Sequence, residues 1–144
     1  MSFAFCFLIF NGAAVRWVRA LNTIELTVDG HELSVPSGAT IWEAARQIGV
    51  EIPTLCHEPG MPPAGVCRLC VVDVGERVLT AACVRECQDG MRIVTSSPQI
   101  DKHRAMLARL LLIDHPTPCQ REKTTGDCDL EHFGRQFGIL PSAD

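Results

Sequence analysis

No Gly-x-Gly-x-x-Gly run and no Walker-type loop occur in this 144-residue chain, so neither a nucleotide cofactor nor phosphate binding is indicated. Basic residues form no stripe, and the net charge is −4, which argues against a nucleic-acid partner. Internal repeats and low-complexity tracts are missing. Asp101, Asp114 and His115 make no nucleophile–base set with any serine or cysteine. Long hydrophobic runs are also lacking: the apolar stretch from Phe3 to Phe10 is far short of the ~20 residues that span a bilayer. No Lys or Arg precedes it, so the basic start of a secretory signal is absent, although Ala13 and Ala14 imitate a cleavage site. Residues 1–20 are expected to be an apolar extension outside the domain, with Cys6 a small hydrophobe in it. Membrane insertion is not expected.

Cysteine, by contrast, is plentiful, with eight in the chain. A secreted protein could use them as a disulfide framework, but two cysteines only three positions apart and a cysteine-free first strand pair argue against that. At 144 residues the chain forms one domain, or one domain with a small appendage.

The alternation of Ile24, Leu26 and Val28 with Thr23, Glu25 and Thr27 predicts a half-buried strand. Asp29 and Gly30 suit a two-residue type I′ turn, after which Leu33 and Val35 resume the alternation as far as Pro36. Thr40 and Glu43 form a capping box that opens a short helix through about Ile48, where Gly49 can end it. Four prolines and two glycines make 53–65 an irregular loop. Two strands, Val71 to Val74 and Arg77 to Ala81, are expected to turn at Gly75 and Glu76, and Met91, Ile93 and Thr95 mark a last short strand. Ser97 and Pro98 start a helix that runs to about Ile113, with Ile100, His103, Leu107, Leu110 and Leu111 on one face.

Cys56, Cys67, Cys70 and Cys83 follow C-x10-C-x2-C-x12-C. Four thiolates satisfy a [2Fe–2S] cluster, each iron taking two beyond the bridging sulfides. They satisfy tetrahedral zinc equally well, and spacing alone leaves that choice open. Unligated core cysteines are a third reading, and what tips the choice is the family that the surrounding residues resemble. Pro53, Thr54 and Leu55 lead into Cys56; Gly65-x-Cys67-Arg68-Leu69-Cys70 runs into Val71, Val72, Asp73 and Val74; Ala81 and Ala82 precede Cys83. From about 22 to 138 the chain resembles the ferredoxin-type region at the start of the large peripheral (75 kDa-type) subunit of complex I. It is similar also to the small diaphorase subunit of NAD-reducing hydrogenases and to the front end of some iron-only hydrogenases and formate dehydrogenases.

This resemblance implies an α+β chain: a β-grasp [2Fe–2S] ferredoxin fold at 21–97, then a helix and a short His/Cys segment at 98–144. It implies cluster ligation by Cys56, Cys67, Cys70 and Cys83. Arg68 is placed to offset negative charge there, with a surface arginine packing its stem as the plain alternative. His57 reads as a loop residue and Cys87 as a structural or free thiol; His31, His103 and His132 lack partners at metal spacing. The related proteins also carry His-x3-Cys-x2-Cys-x5-Cys, which binds a [4Fe–4S] cluster. Here His115, Cys119 and Cys128 keep the outer spacing, but Glu122 stands where the middle cysteine belongs. A carboxylate is a poorer partner for cluster iron than a thiolate. A labile cluster with Glu122 as ligand, an empty site, or a fold kept without its metal are the outcomes left open, the first weighed less than the others together.

The function so implied is one-electron transfer by a small iron–sulfur subunit of a multisubunit oxidoreductase, a conductor of electrons and not the catalyst. Its partner would be a flavin-containing, NADH-oxidising subunit or a molybdenum- or hydrogenase-type catalytic subunit. The location would be the cytoplasm, including the cytoplasmic face of a membrane complex. A free ferredoxin shuttle and a non-redox zinc or scaffold module are the rival expectations.

Overall fold

A computed structural model describes residues 22–141. The expectations for residues 1–20, including Cys6, lie outside the described residues, as do residues 142–144.

Strands β1 (Thr23–Val28) and β2 (His31–Pro36) form the antiparallel hairpin, in register from Thr23 opposite Pro36 to Val28 opposite His31. Asp29 and Gly30 both take positive φ at the turn, 49° and 83°, as a type I′ connection requires. Asp29 has a second task. Its carboxylate accepts from the backbone N–H of Thr95 at 2.8 Å and from the Thr95 hydroxyl, tying the turn to the chain just before the long helix.

Helix α1 (Ile41–Gln47) follows, and both halves of its capping box are present. Ile41, Trp42, Ala44 and Ala45 are buried on the face toward the sheet. Together with Leu26, Val28 and Val35 they make the main core, each full-sized aliphatic contributing about 1.5–3 kcal/mol by its burial. Trp42 donates its indole N–H to the Ile52 carbonyl at 3.2 Å and so fixes the entry into the irregular loop.

The strands after that loop are shorter than the alternation predicts. Only β3 (Val71–Val72) and β4 (Thr80–Ala81) pair, antiparallel, and β5 (Arg92–Ile93) runs parallel to β1 in a three-stranded sheet of order β2-β1-β5. Asp73 leaves the β3–β4 ladder and bridges Val94 through reciprocal N–H···O bonds of 3.0 and 2.8 Å. The apolar alternation continues past Val72, but a change of bonding partner ends the strand.

Helix α2 (Pro98–Leu112) begins where expected, with the Ser97 hydroxyl accepting from the Ile100 N–H. Its expected face needs correction. Ile100 is buried and Leu107 partly so, whereas His103, Leu110 and Leu111 are exposed. The buried face instead carries Arg104, whose guanidinium donates to the carbonyls of Leu69, Val71 and Thr95 at 3.1, 2.9 and 2.9 Å. A charge that satisfies three buried carbonyls in β3 and beside β3 and β5 outweighs one more leucine there. Two short helices, α3 (Gln120–Thr125) and α4 (Asp129–Gln136), complete the fold. A second, smaller core joins Leu107 and Ala108 of α2 and Phe133 of α4 to Leu55, Cys67 and Leu69.

Candidate metal centres

Cys70 immediately precedes β3 and Cys83 lies two residues past β4. The β3–β4 pairing, extended by the Ala82 N–H donating to the Cys70 carbonyl at 3.0 Å, brings their sulfurs to 3.4 Å. Both side chains are fully buried. Cys56 and Cys67 approach from the irregular loop, where the Cys67 N–H donates to the Cys56 Sγ at 3.4 Å. Two backbone features bend the loop this tightly. Gly65 takes φ +67°, and a Cβ there would sit 2.9 Å from a Val84 methyl. Arg68 also turns through positive φ, 60°, between two of the cysteines.

Electrostatics ties the four thiols together. Burial pushes Cys83 up to about 12, with the Cys70 thiol and the charges of Cys70, Cys56 and Cys67 adding to it. Burial also raises Cys67, against N–H donors from Leu55 and Leu69. At Cys56 the same burial effect is outweighed by the N–H groups of Cys67, Val66 and Gly65, and its pKa falls below the ordinary thiol value. Four mutually repelling thiolates need a cation among them, and N–H donors aimed at sulfur are what a cluster's sulfurs accept. The donor set fits an iron–sulfur group. None of the cysteines among the described residues is in a disulfide.

The other sequence candidates fall elsewhere. His57 stacks edge-on against Trp42, ring centroids 4.5 Å apart. Arg68 is exposed, and its contribution to the loop is its backbone turn. Cys87 sits in the main core, its N–H bonded to the Ala39 carbonyl at 2.8 Å.

At the second constellation His115, Cys119 and Cys128 do come together, and the carboxylate that joins them belongs to Glu131. One ligand atom from each of the four lies within 4.8 Å of the others. His115 Nε2 is 3.5 Å from both Cys128 Sγ and Glu131 Oε1. Glu131 is almost wholly buried, at 1% exposure. Glu122 is committed elsewhere, receiving Arg135 at 2.6 Å and the Cys128 N–H at 3.1 Å. Sequence reasoning missed Glu131. The available signal was its place three residues past Cys128, which in a helix puts both on one side.

Residues 22–98, more than half of the chain, match the family described as a 2Fe-2S iron-sulfur cluster binding domain. An NADH-quinone oxidoreductase subunit of Streptomyces coelicolor is 39% identical over 89% of this chain and 16% of its own length. A subunit of the NADP-reducing hydrogenase of Solidesulfovibrio fructosivorans is 36% identical over 85% and 22%. The mitochondrial 78 kDa subunit of NADH-ubiquinone oxidoreductase from Candida albicans is 38% identical over 83% and 17%. The chain thus spans about a fifth or less of the curated relatives it matches. Among solved structures, an NAD+-reducing [NiFe]-hydrogenase in the H2-reduced state superposes with a TM-score of 0.73 at 32% identity, over 81% of this chain and 50% of that one. The arrangement of hairpin, helix, cysteine loop and sheet and the sequence matches agree: the chain belongs to the 2Fe-2S iron-sulfur cluster binding domain family.

Proposed function

We propose that Cys56, Cys67, Cys70 and Cys83 hold a [2Fe–2S] cluster, and that the chain conducts single electrons inside a multisubunit oxidoreductase. The observation that carries this reading is the pairing of two fully buried thiols, Cys70 and Cys83, 3.4 Å apart, with two loop thiols, Cys56 and Cys67, that receive backbone N–H groups. When bound, the cluster supplies a one-electron couple, near roughly −400 mV in plant-type proteins. The chain's own residues do the rest. The N–H groups of Gly65, Val66 and Cys67 stabilise charge on the Cys56 sulfur, while burial of Cys70 and Cys83 keeps water from their side. Both contributions set a potential.

Val66 and Val84, neighbours of Cys67 and Cys83, are exposed, as is Met61 in the same loop. Exposed apolar side chains next in sequence to two of the cysteines, with Cys56 the least buried of the four, suit a partner that docks over the loop and brings its own redox group close. The three relatives are each a subunit of a larger oxidoreductase by their names, and this chain is read as having partner subunits in the same way. NADH and dihydrogen deliver electrons in pairs, so a partner must split the pair. A flavin-bearing NADH-oxidising subunit, or a molybdenum- or hydrogenase-type catalytic subunit, meets that need. Free thiols ready for metal suit a reducing compartment, hence a cytoplasmic location. No helix among the described residues is long and apolar enough to cross a membrane.

Protein purified without oxygen should be red-brown, with about two irons and two sulfides per chain and a spin-half EPR signal after reduction. Zinc in the four-cysteine site, in a colourless protein, would overturn the reading. The native complex should run in gel filtration with partner subunits; a lone small protein would favour a shuttle.

A further inference from the structure

We propose that His115, Cys119, Cys128 and Glu131 form a closed site for a single zinc ion, and that this ion pins the ends of α2, α3 and α4 together. The proposal is independent of the [2Fe–2S] assignment.

Four donors of three kinds converge there: an imidazole nitrogen, two sulfurs and a carboxylate oxygen, all within 4.8 Å of one another. Zinc bonds of ~2.0–2.3 Å in a tetrahedron place neighbouring ligand atoms ~3.3–3.8 Å apart. The two His115 Nε2 separations, 3.5 Å to sulfur and 3.5 Å to oxygen, are within that span. A four-iron cluster puts each protein ligand on a different iron and so needs its ligands farther apart. At the spacing seen in the related proteins its remaining ligand would be Glu122, whose carboxylate would have to abandon both Arg135 and the Cys128 N–H.

Charge and supporting contacts favour one divalent ion. Two thiolates and a carboxylate around zinc leave one net negative charge, and the Arg135 guanidinium, 3.5 Å from Glu131 Oε2, offsets it. The same guanidinium holds Glu122, which in turn accepts the Cys128 N–H. Cys119 donates its N–H to Glu131 at 2.6 Å, and its sulfur accepts the Glu122 N–H at 3.4 Å. Every ligand except His115 is therefore oriented by a neighbour, as metal ligands commonly are. Two sulfurs select against calcium and magnesium, and the Irving–Williams order puts zinc above ferrous iron. With four protein ligands and both cysteines buried, no coordination position is left for substrate.

The fold supplies a reason for the ion. Helix α3 has no buried residue, so apolar packing does not hold its six residues in place. Cys119 at its start and Cys128 at the start of α4 would be fixed to His115 beyond the end of α2 through the metal, and binding energy would become folding energy.

The test uses the full chain carrying its iron centre. Metal analysis should find one zinc per chain besides the iron, and zinc-edge X-ray absorption should show two sulfurs at ~2.3 Å with two lighter atoms at ~2.0–2.1 Å. Chelator competition should show E131Q weakening zinc more than ~100-fold and E122Q, an outer contact, about 10-fold. If E131Q does not fold, E131C decides: it should keep zinc, now with three sulfurs. A four-sulfur shell would put zinc in the other site and overturn the proposal. So would four additional irons with sulfide, absence of zinc from zinc-supplemented protein, or a zinc loss larger in E122Q than in E131Q.

Discussion

In the four-cysteine loop the candidate ligands come from a bent, proline-rich loop and from the ends of a two-residue strand pair. In the His115–Glu131 segment they come from beyond α2 and from the starts of α3 and α4. The first region uses one donor type, sulfur, and supports it with backbone N–H groups and burial. The second mixes sulfur, nitrogen and oxygen and supports them with side chains, chiefly Glu122 and Arg135. Uniform soft donors in a water-poor pocket suit a centre that changes charge. A mixed, closed set with a buried carboxylate suits an ion that keeps its charge. On the two proposed assignments, donor type distinguishes the regions where the count of cysteines would not.

The comparison breaks most severely at Cys70 and Cys83. Serine at either should remove the visible spectrum and bring iron and sulfide close to zero, because a hydroxyl is a poorer ligand for cluster iron than a thiolate and water does not reach these fully buried positions. Serine at Cys56 or Cys67 should weaken or abolish the cluster too. Zinc in the second region should persist in all four variants, which metal analysis of the same samples checks.

Arg104 is the next test, because it couples the regions. It holds α2 on the Leu69 and Val71 carbonyls beside Cys70, and α2 leads to His115. Arg104→Met strands three buried acceptors and should cost at least ~3 kcal/mol, at about 1–3 kcal/mol each. Urea unfolding should register it, and both metal contents should fall together. Independent losses would show that the regions do not communicate through this residue.

Gly134→Ala addresses the second region alone. The added methyl would meet Leu140 Cδ1 at 2.8 Å and Leu112 Cδ1 at 2.9 Å, both near the ends of flexible side chains. A loss of about 1–2 kcal/mol is expected from overpacking between α2 and α4. The iron centre's spectrum should be unchanged.

Cys87 should have the smallest effect. Burial, with the charge of Glu43, pushes its thiol up to about 11 from an ordinary 9.0. Between those values the folded chain holds a proton that the unfolded chain has released. Stability is then full below about pH 9 and declines as pH rises toward about 11. Cys87→Ala should flatten that decline in urea midpoints and leave the cluster spectrum as it was.

Much of the fold is legible because its signals are short-range. The Asp29–Gly30 turn, the Thr40–Glu43 capping box and the Ser97–Pro98 helix start each depend on residues within four positions. The cysteine spacing and its flanking residues point to the iron–sulfur family for the same reason, since the loop closes largely on its own backbone. The sequence by itself thus determined the order of elements and the four thiols available to a cluster. Tertiary structure decided which residues of α2 face inward, because three carbonyls in β3 and beside β3 and β5, more than thirty positions away in two cases, accept from Arg104. It also decided between Glu122 and Glu131. Both are acidic and both lie near the cysteines, but Arg135 holds one aside while the packing of α4 on α2 buries the other against His115. A local pattern cannot encode that choice, because it depends on where separate helices meet.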